Sequence, residues 1–275
     1  MENILEVKEL KKTFYKNKVP FQAVKSVSFQ MKKGQCMGIV GESGCGKSTT
    51  AKIITHLTIP DGGSIQLNGR ETLSLRGKSL RKLYGEVQMV FQTPQDSFDP
   101  RCTLGDGIME GMRNRGMRKR KAKERMYELL DMVELDGGFA ARYPHEVSGG
   151  QCQRAAIARA LAPNPQLVIC DEATSALDVT VQAQIVELLK RLQKEQGLSL
   201  ILISHDLALV QNLCDHVAVM YKGSVVEQGA ADEVIRNPKE TYTQMLVDSV
   251  FGWESPGRRQ PFIYGGVCPA GCGTA

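Results

Sequence analysis

The sequence predicts an α/β protein with a mostly parallel sheet, helices on both faces, and a helical subdomain inserted into it. Three observations predict this. Short, wholly apolar runs alternate with helical patterns, as buried parallel strands do. Between about residues 93 and 160 amphipathic helical spacing takes over, as in KAKERMYELLDMVEL. Beyond that stretch the alternation of strand and helix returns.

The chain opens on ILEVKEL and AVKSVSFQM, whose period-2 alternation predicts strands with one buried face. Lys33-Gly34 marks a turn, and CMGIV (36–40) reads as a buried strand ending at Gly41. TTAKIITHL (49–57) has helical spacing and PDGG (60–63) breaks it. SIQLNG (64–69) reads as a strand and turn, and VQMVFQ (87–92) as another buried strand. LVICDE (167–172) and LSLILISH (198–205) are two more, separated by a helix over 181–196 that Gly197 closes. VAVMYKGSVVEQG (217–229) reads as a hairpin turning at Lys222-Gly223. Residues 252–275 are rich in Gly and Pro and read as a poorly ordered tail. The expected organisation is one domain over 1–250 and a flexible segment over 251–275.

The 275 residues are 42% hydrophobic, enough for a real core. A net charge of +5 is too small to argue for nucleic acid, and no nucleic-acid partner is expected. No apolar run reaches the roughly 18 residues of a membrane helix. The start, MENILEVKELKK, has no signal-peptide core, so the chain is expected to stay where it is made. The eight cysteines, at 36, 45, 102, 152, 170, 214, 268 and 272, are scattered and read as reduced thiols.

Chemistry begins at GESGCGKSTT (41–50). Gly41, four residues, then Gly46-Lys47-Ser48 is the P-loop pattern, set between a predicted strand and a predicted helix. Glycines let the backbone of Gly41, Glu42, Ser43, Gly44, Cys45 and Gly46 turn its N–H groups inward, and the helix start at Lys47, Ser48 and Thr49 adds partial positive charge. Lys47 would reach the β- and γ-phosphates of a nucleoside triphosphate, and the Ser48 hydroxyl would bind Mg²⁺. LVICDE places Asp171 at a strand's C-terminal end, where its carboxylate can hold Mg²⁺ through water. Glu172 follows, placed to polarise an attacking water. In YPHEVSGGQCQRAAIARAL, Ser148-Gly149-Gly150 precedes a helix carrying Gln151, Arg154 and Arg159, a second anion-binding helix start. One triphosphate is already wrapped by the first loop. The second start is useful if it meets a nucleotide held by another subunit.

From about residue 4 to 250 these motifs resemble the ATP-binding subunits of ABC transporters. VSGGQ matches that family's signature, with Val147 where Leu is more usual. Gln92 in VFQTPQD matches the Q-loop, Ser175-Ala176-Leu177-Asp178 the D-loop, and His205 the switch histidine. Alone, a histidine after a buried strand reads as a satisfied core residue. Its place in the order of motifs makes it functional. Phe14 in KKTFY matches the aromatic that stacks on adenine, with Tyr15 as a second candidate and core packing as the other reading.

The resemblance implies an ABC ATPase fold: a RecA-like parallel core, an N-terminal antiparallel β subdomain and the inserted helices. It implies two ATPase domains dimerised head to tail, each ATP lying between one P-loop and the partner's signature. Ser148, Gly149, Gly150 and Gln151 would bind the partner's γ-phosphate, and Glu172 would be general base. His205 would contact the γ-phosphate, Gln92 would sense it and Mg²⁺, and Asp178 would link the two sites.

GIVGESGCGKST, MVFQTPQDSFDPR and SALDVTVQAQIVELLKRLQ resemble the peptide and nickel importer branch. That implies a second, different ATPase subunit, two membrane permeases, an extracytoplasmic binding protein, and a location at the cytoplasmic face of the membrane. Thr93 stands where the branch usually has Asp, Ala173 where Pro is common, and Cys152 where Arg or Leu is usual; Cys45 is common there. None removes a group the mechanism needs.

Cys268 and Cys272 are too few for the four-cysteine iron–sulfur site of some relatives and read as free thiols. RNRGMRKRKAKER (113–125) reads as a solvated helix face, with lipid headgroup contact as the alternative. A non-transport ABC ATPase, such as an accessory of phosphonate breakdown, is the alternative function. A P-loop kinase would leave VSGGQ and the D-loop without a job.

Overall fold

Wholly buried strands stand side by side at the centre of the protein. The computed structural model describes residues 2–173 and 177–251. Its parallel half orders β9 (His216–Tyr221), β3 (Cys36–Val40), β8 (Ser199–Ser204), β7 (Leu167–Asp171) and β6 (Val87–Val90), all hydrogen-bonded in parallel. Alternate side chains leave these strands for opposite faces. Leu167, Ile169, Ile201 and Ile203 join one hydrophobic cluster, with Ile53 and Ile54 of α1 (Lys47–Ile54). Val168, Cys170, Leu200 and Leu202 join the other.

The second half of the sheet is antiparallel. It comprises β1 (Asn3–Lys16), β2 (Val19–Lys32), β4 (Gly62–Leu67) and the two-residue β5 (Arg70–Glu71). This half is the N-terminal antiparallel subdomain that the resemblance implies, beside the parallel core. β10 (Ser224–Ala230) pairs antiparallel with β9 and touches β2 through one pair, Ser224 with Ser26. Ten described strands thus form one sheet that is joined at its middle by a narrow seam.

Between β6 and β7 lies the inserted helical unit: α3 (Leu104–Asn114), α4 (Lys119–Met132) and α5 (Gly149–Leu161), with short 3-10 turns. Leu104, Ile108, Met126, Leu129, Leu130 and Ile157 fill its core. The Thr103 hydroxyl caps α3 by accepting from the Asp106 N–H. At the end of α4 the nearly buried Arg154 donates to the Val133 carbonyl at 2.9 Å and to Glu134 at 2.8 Å. Arg191 of α6 (Val179–Gln196) holds the other Glu134 oxygen at 2.7 Å. One carboxylate therefore ties the insertion to the core.

Several boundaries differ from the sequence reading, among them those of α1, β6 and β7. α1 begins at Lys47 and ends at Ile54; the Thr55 hydroxyl bonds back to the Ala51 carbonyl, and His56 turns to a φ of 59°. β6 stops at Val90, which leaves Phe91 and Gln92 outside the strand. β7 stops at Asp171, and Glu172 takes a φ of 46°. α2 (Gly77–Glu86), α7 (Leu207–Leu213), α8 (Ala231–Arg236) and α9 (Thr241–Phe251) complete the chain's helices among the described residues. The six described cysteines are free, and all but Cys102 are buried. The tail reading, with Cys268 and Cys272, lies outside the described residues, as do Ser175 and Ala176.

Candidate functional site

β3 delivers the chain to Gly41 and α1 carries it away from Gly46. The turn between them is a close backbone approach. A Cβ on Gly41 would lie 2.1 Å from the Met220 carbonyl oxygen, and one on Gly46 2.3 Å from that of Ala23. Glu42, Ser43 and Gly44 stay exposed at the tip, while Cys45 and Lys47 are buried. The Lys47 ammonium lies inside the loop, donating to the Gly41 carbonyl at 2.7 Å and to that of Glu42 at 2.9 Å. These carbonyls satisfy a buried cation that a polyphosphate can also engage. Ser48 and Thr49 are half-buried at the helix start.

The end of β7 completes this pocket. The Ser48 hydroxyl donates to Asp171 at 2.9 Å, across 123 residues of sequence. Burial pushes the Asp171 carboxyl above its ordinary range; the Ser48 hydroxyl lowers it and the Glu172 charge raises it again. A desolvated carboxylate beside a hydroxyl is a hard-oxygen donor set that fits Mg²⁺.

Beside it, the Gln92 side-chain amide donates to Glu172 Oε2 at 2.9 Å. His205 Nδ1 stands 4.0 Å from the other Glu172 oxygen, its side chain 64% exposed. The left-handed turn at Glu172 sends this carboxylate out of the strand, and its N–H bonds the Ile203 carbonyl. Three sequence motifs 33 to 113 residues apart (Gln92, Glu172, His205) thus meet on one carboxylate.

The second anion-binding start faces elsewhere. Ser148 caps α5, accepting from the Gln151 N–H, while the Gln151 side chain accepts from the Ser148 N–H. These bonds stay within their own helix start, where Ser148 and Gly149 are exposed and Gly150 is half-buried. Asp178 likewise caps α6, accepting from the Val181 N–H at 3.0 Å, and is exposed.

Phe14 is 41% exposed, which removes the core-packing reading. It pairs across the β1–β2 ribbon with Phe21, so both rings share a face, and Lys12 stands 5.5 Å from the Phe14 ring. Tyr15 is 75% exposed and pairs with Pro20. A cleft of about 700 Å³ opens beside the loop, lined by Phe21, Ala23, Ser43, Gly44, Tyr221 and Tyr242. Sequence reasoning passed over Phe21 and Tyr242. A second aromatic seven residues after Phe14, across the polar stretch KNK, is the signal that could have found Phe21. A second cleft, about 690 Å³, is lined by Tyr84, Gln88, Phe91, Glu110, Arg115 and Arg159.

A family model described as "ABC transporter" matches residues 24–175. The oligopeptide transport ATP-binding protein OppF of Escherichia coli (strain K12) is 45% identical over 247 residues, covering 89% of this chain and 74% of that protein. The dipeptide transport ATP-binding protein DppD of Haemophilus influenzae is 45% identical over 255 residues, covering 90% of this chain and 77% of that protein. A solved dimeric ATP-binding cassette in a post-hydrolysis state, bound to ADP and Pi, superposes with a TM-score of 0.76. It is 30% identical, covering 82% of this chain and 98% of its own.

Proposed function

We propose, from the premise that this chain belongs to the ABC transporter family and is an ATPase of it, that it is the ATP-hydrolysing subunit of a peptide importer. The observation that carries the reading is the convergence of Gln92 and His205 on Glu172, next to the Lys47 loop and the Ser48–Asp171 pair.

The loop from Gly41 to Thr49 holds the triphosphate, with Lys47 turned from the loop carbonyls to the β- and γ-phosphates. Ser48 and Asp171, with Gln92, would hold Mg²⁺, which when bound supplies positive charge to the phosphate oxygens. Glu172 accepts the proton of the attacking water as the water's oxygen bonds to the γ-phosphorus and the bond from that phosphorus to the β–γ bridging oxygen breaks, with ADP as the leaving group. Gln92 and His205 keep that carboxylate aimed. His205 reaches the γ-phosphate and steadies its developing charge. Phe14, with Phe21 on the same face, offers a stacking surface to the adenine.

The helix start at Ser148–Gln151 serves a partner's nucleotide, so the working unit is a head-to-tail pair. Its exposure in the single chain, and the dimeric cassette it superposes on, support this. Asp178, exposed near that interface, links the two sites. The partner is a second, different ATPase subunit, and the pair sits on two permeases at the cytoplasmic face of a membrane. The cleft lined by Phe91, the neighbour of Gln92, is the seat for a permease segment. Loss of the γ-phosphate unglues the pair, and its opening drives the permeases.

OppF and DppD are transport proteins for peptides, which favours peptide as cargo over nickel. The test is an affinity pull-down of tagged Glu172→Gln protein from native membranes with ATP and Mg²⁺. Two permeases, a second ATPase and a peptide-binding protein are expected. A nickel-binding protein would move the cargo assignment. Soluble enzymes with no permease would favour the non-transport alternative.

A further inference from the structure

The peptide unit joining Gly41 to Glu42 is held at both ends. Its carbonyl accepts from Lys47 at 2.7 Å. Its N–H, trans to that carbonyl and so directed the opposite way, donates to the Tyr242 hydroxyl at 3.0 Å. Tyr242 belongs to α9, 200 residues further along the chain. Its ring is itself fixed, packed against Tyr221 with centroids 4.2 Å apart and the planes tilted by 33°, while Thr243 and Val247 anchor α9 in the core. Gly223, two residues after Tyr221, donates to the Cys45 carbonyl at 3.0 Å. The outer side of the loop is therefore clamped by the β9–β10 turn and by α9.

We infer that Tyr242 is a positioning residue for the phosphate loop, and that α9 is thereby part of the ATP site. The reading rests on residues 41–49 binding the triphosphate. Gly41 sits at a φ of 144°, and a peptide next to glycine flips readily. Lys47 steadies this one only while it faces the loop carbonyls. Once Lys47 turns to a phosphate, the Tyr242 hydroxyl is the anchor that remains on that peptide. It keeps the N–H of Glu42 pointing outward, which corrects the sequence expectation that this N–H turns inward with the others, and leaves the rest of the loop to receive the phosphates. Burial holds the Tyr242 phenol above its ordinary range, so it stays neutral.

The experiment compares full-length protein with Tyr242→Phe, which keeps the ring and removes the acceptor. ATP affinity, KM, kcat and melting temperature are measured, together with exchange of the Glu42 amide. The expected result is a rise in Kd and KM of about three- to tenfold, the loss of one hydrogen bond, with kcat and melting temperature held. Glu42 amide exchange speeds up while that of Thr50 does not. Unchanged Kd and KM, or a fall in melting temperature with Kd unmoved, overturns the inference. Unchanged Glu42 exchange overturns it independently of any effect on folding. Lys47→Ala is run alongside. If that variant also binds ATP normally, the loop assignment falls together with the inference; if Tyr242→Phe alone binds normally, only the inference falls.

Discussion

The amide of Gln92 donates to the carboxylate of Glu172 at 2.9 Å, joining the second residue past β6 to the residue just past β7. The two strands are neighbours in the sheet, so both side chains emerge at the same C-terminal edge. Gln92→Ala removes that bond from the carboxylate without touching the phosphate loop. Steady-state hydrolysis is expected to fall about 10- to 100-fold in kcat, with KM for ATP moving less than about threefold. A loss appearing mainly in KM would mean that Gln92 acts by holding Mg-ATP and not by aiming the Glu172 carboxylate.

Lys47→Ala removes the buried cation that bonds the Gly41 and Glu42 carbonyls. Charge-assisted bonds to phosphate are worth about 1.5–3 kcal/mol each, so ATP affinity should drop by at least about tenfold. Calorimetric titration of the full chain with Mg-ATP measures it. Native affinity would remove the loop from the site.

Gly41→Ala probes packing. The new Cβ would meet the Met220 carbonyl at 2.1 Å, on a backbone whose φ of 144° already disfavours a side chain. A cost of about 3 kcal/mol follows, or roughly 6–12 °C of melting temperature, along with lost ATP binding. A melting curve identical to that of the parent would show that the β9 end yields easily.

Glu134 gives the acid side of stability. The Arg154 guanidinium, then that of Arg191, holds its carboxyl below the usual range. The folded form therefore binds the proton less readily than the unfolded form. Its contribution is complete above the unfolded value of about 4.3 and is lost as pH falls through the lower folded value. Glu134 is half exposed, so solvent screening keeps the effect under about 1 kcal/mol. Glu134→Gln should lower the melting temperature by a few degrees at neutral pH, and the gap should close at acid pH. A gap independent of pH would assign the effect to shape rather than charge.

Much of the site was legible because it is built from local patterns. Apolar CMGIV followed by GESGCGKS names a strand, a loop and a helix start in one stretch. LVICDE does the same for Asp171, and Gly197 and Lys222-Gly223 end their elements where the sequence places them. The end of α1 was not legible, because Thr55 and His56 leave the helix through a side-chain bond and a left-handed turn that periodicity does not register. Phe14 was left between ring stacking and core, since exposure depends on the long ribbon β1 and β2 build beyond the core. Tyr242 was invisible for a different reason. Its partner is a backbone N–H 200 residues away, and no spacing announces a bond to main chain.

The place of β3 in the sheet bears on how the protein is made. Its neighbours are β8 and β9, so the strand leading into the phosphate loop has no edge to pair with until Ser199 has been added, about 160 residues after Val40. At a synthesis rate of about 5–20 residues per second, that is a delay of roughly 8–32 seconds. Through that interval five fully buried positions, Cys36 to Val40, have no native strand beside them on the nascent chain. The β1–β2 ribbon can close long before, while the catalytic half waits for β8 and β9 to be made. A holding chaperone, or a ribosome paused ahead of β8, would act on this strand first.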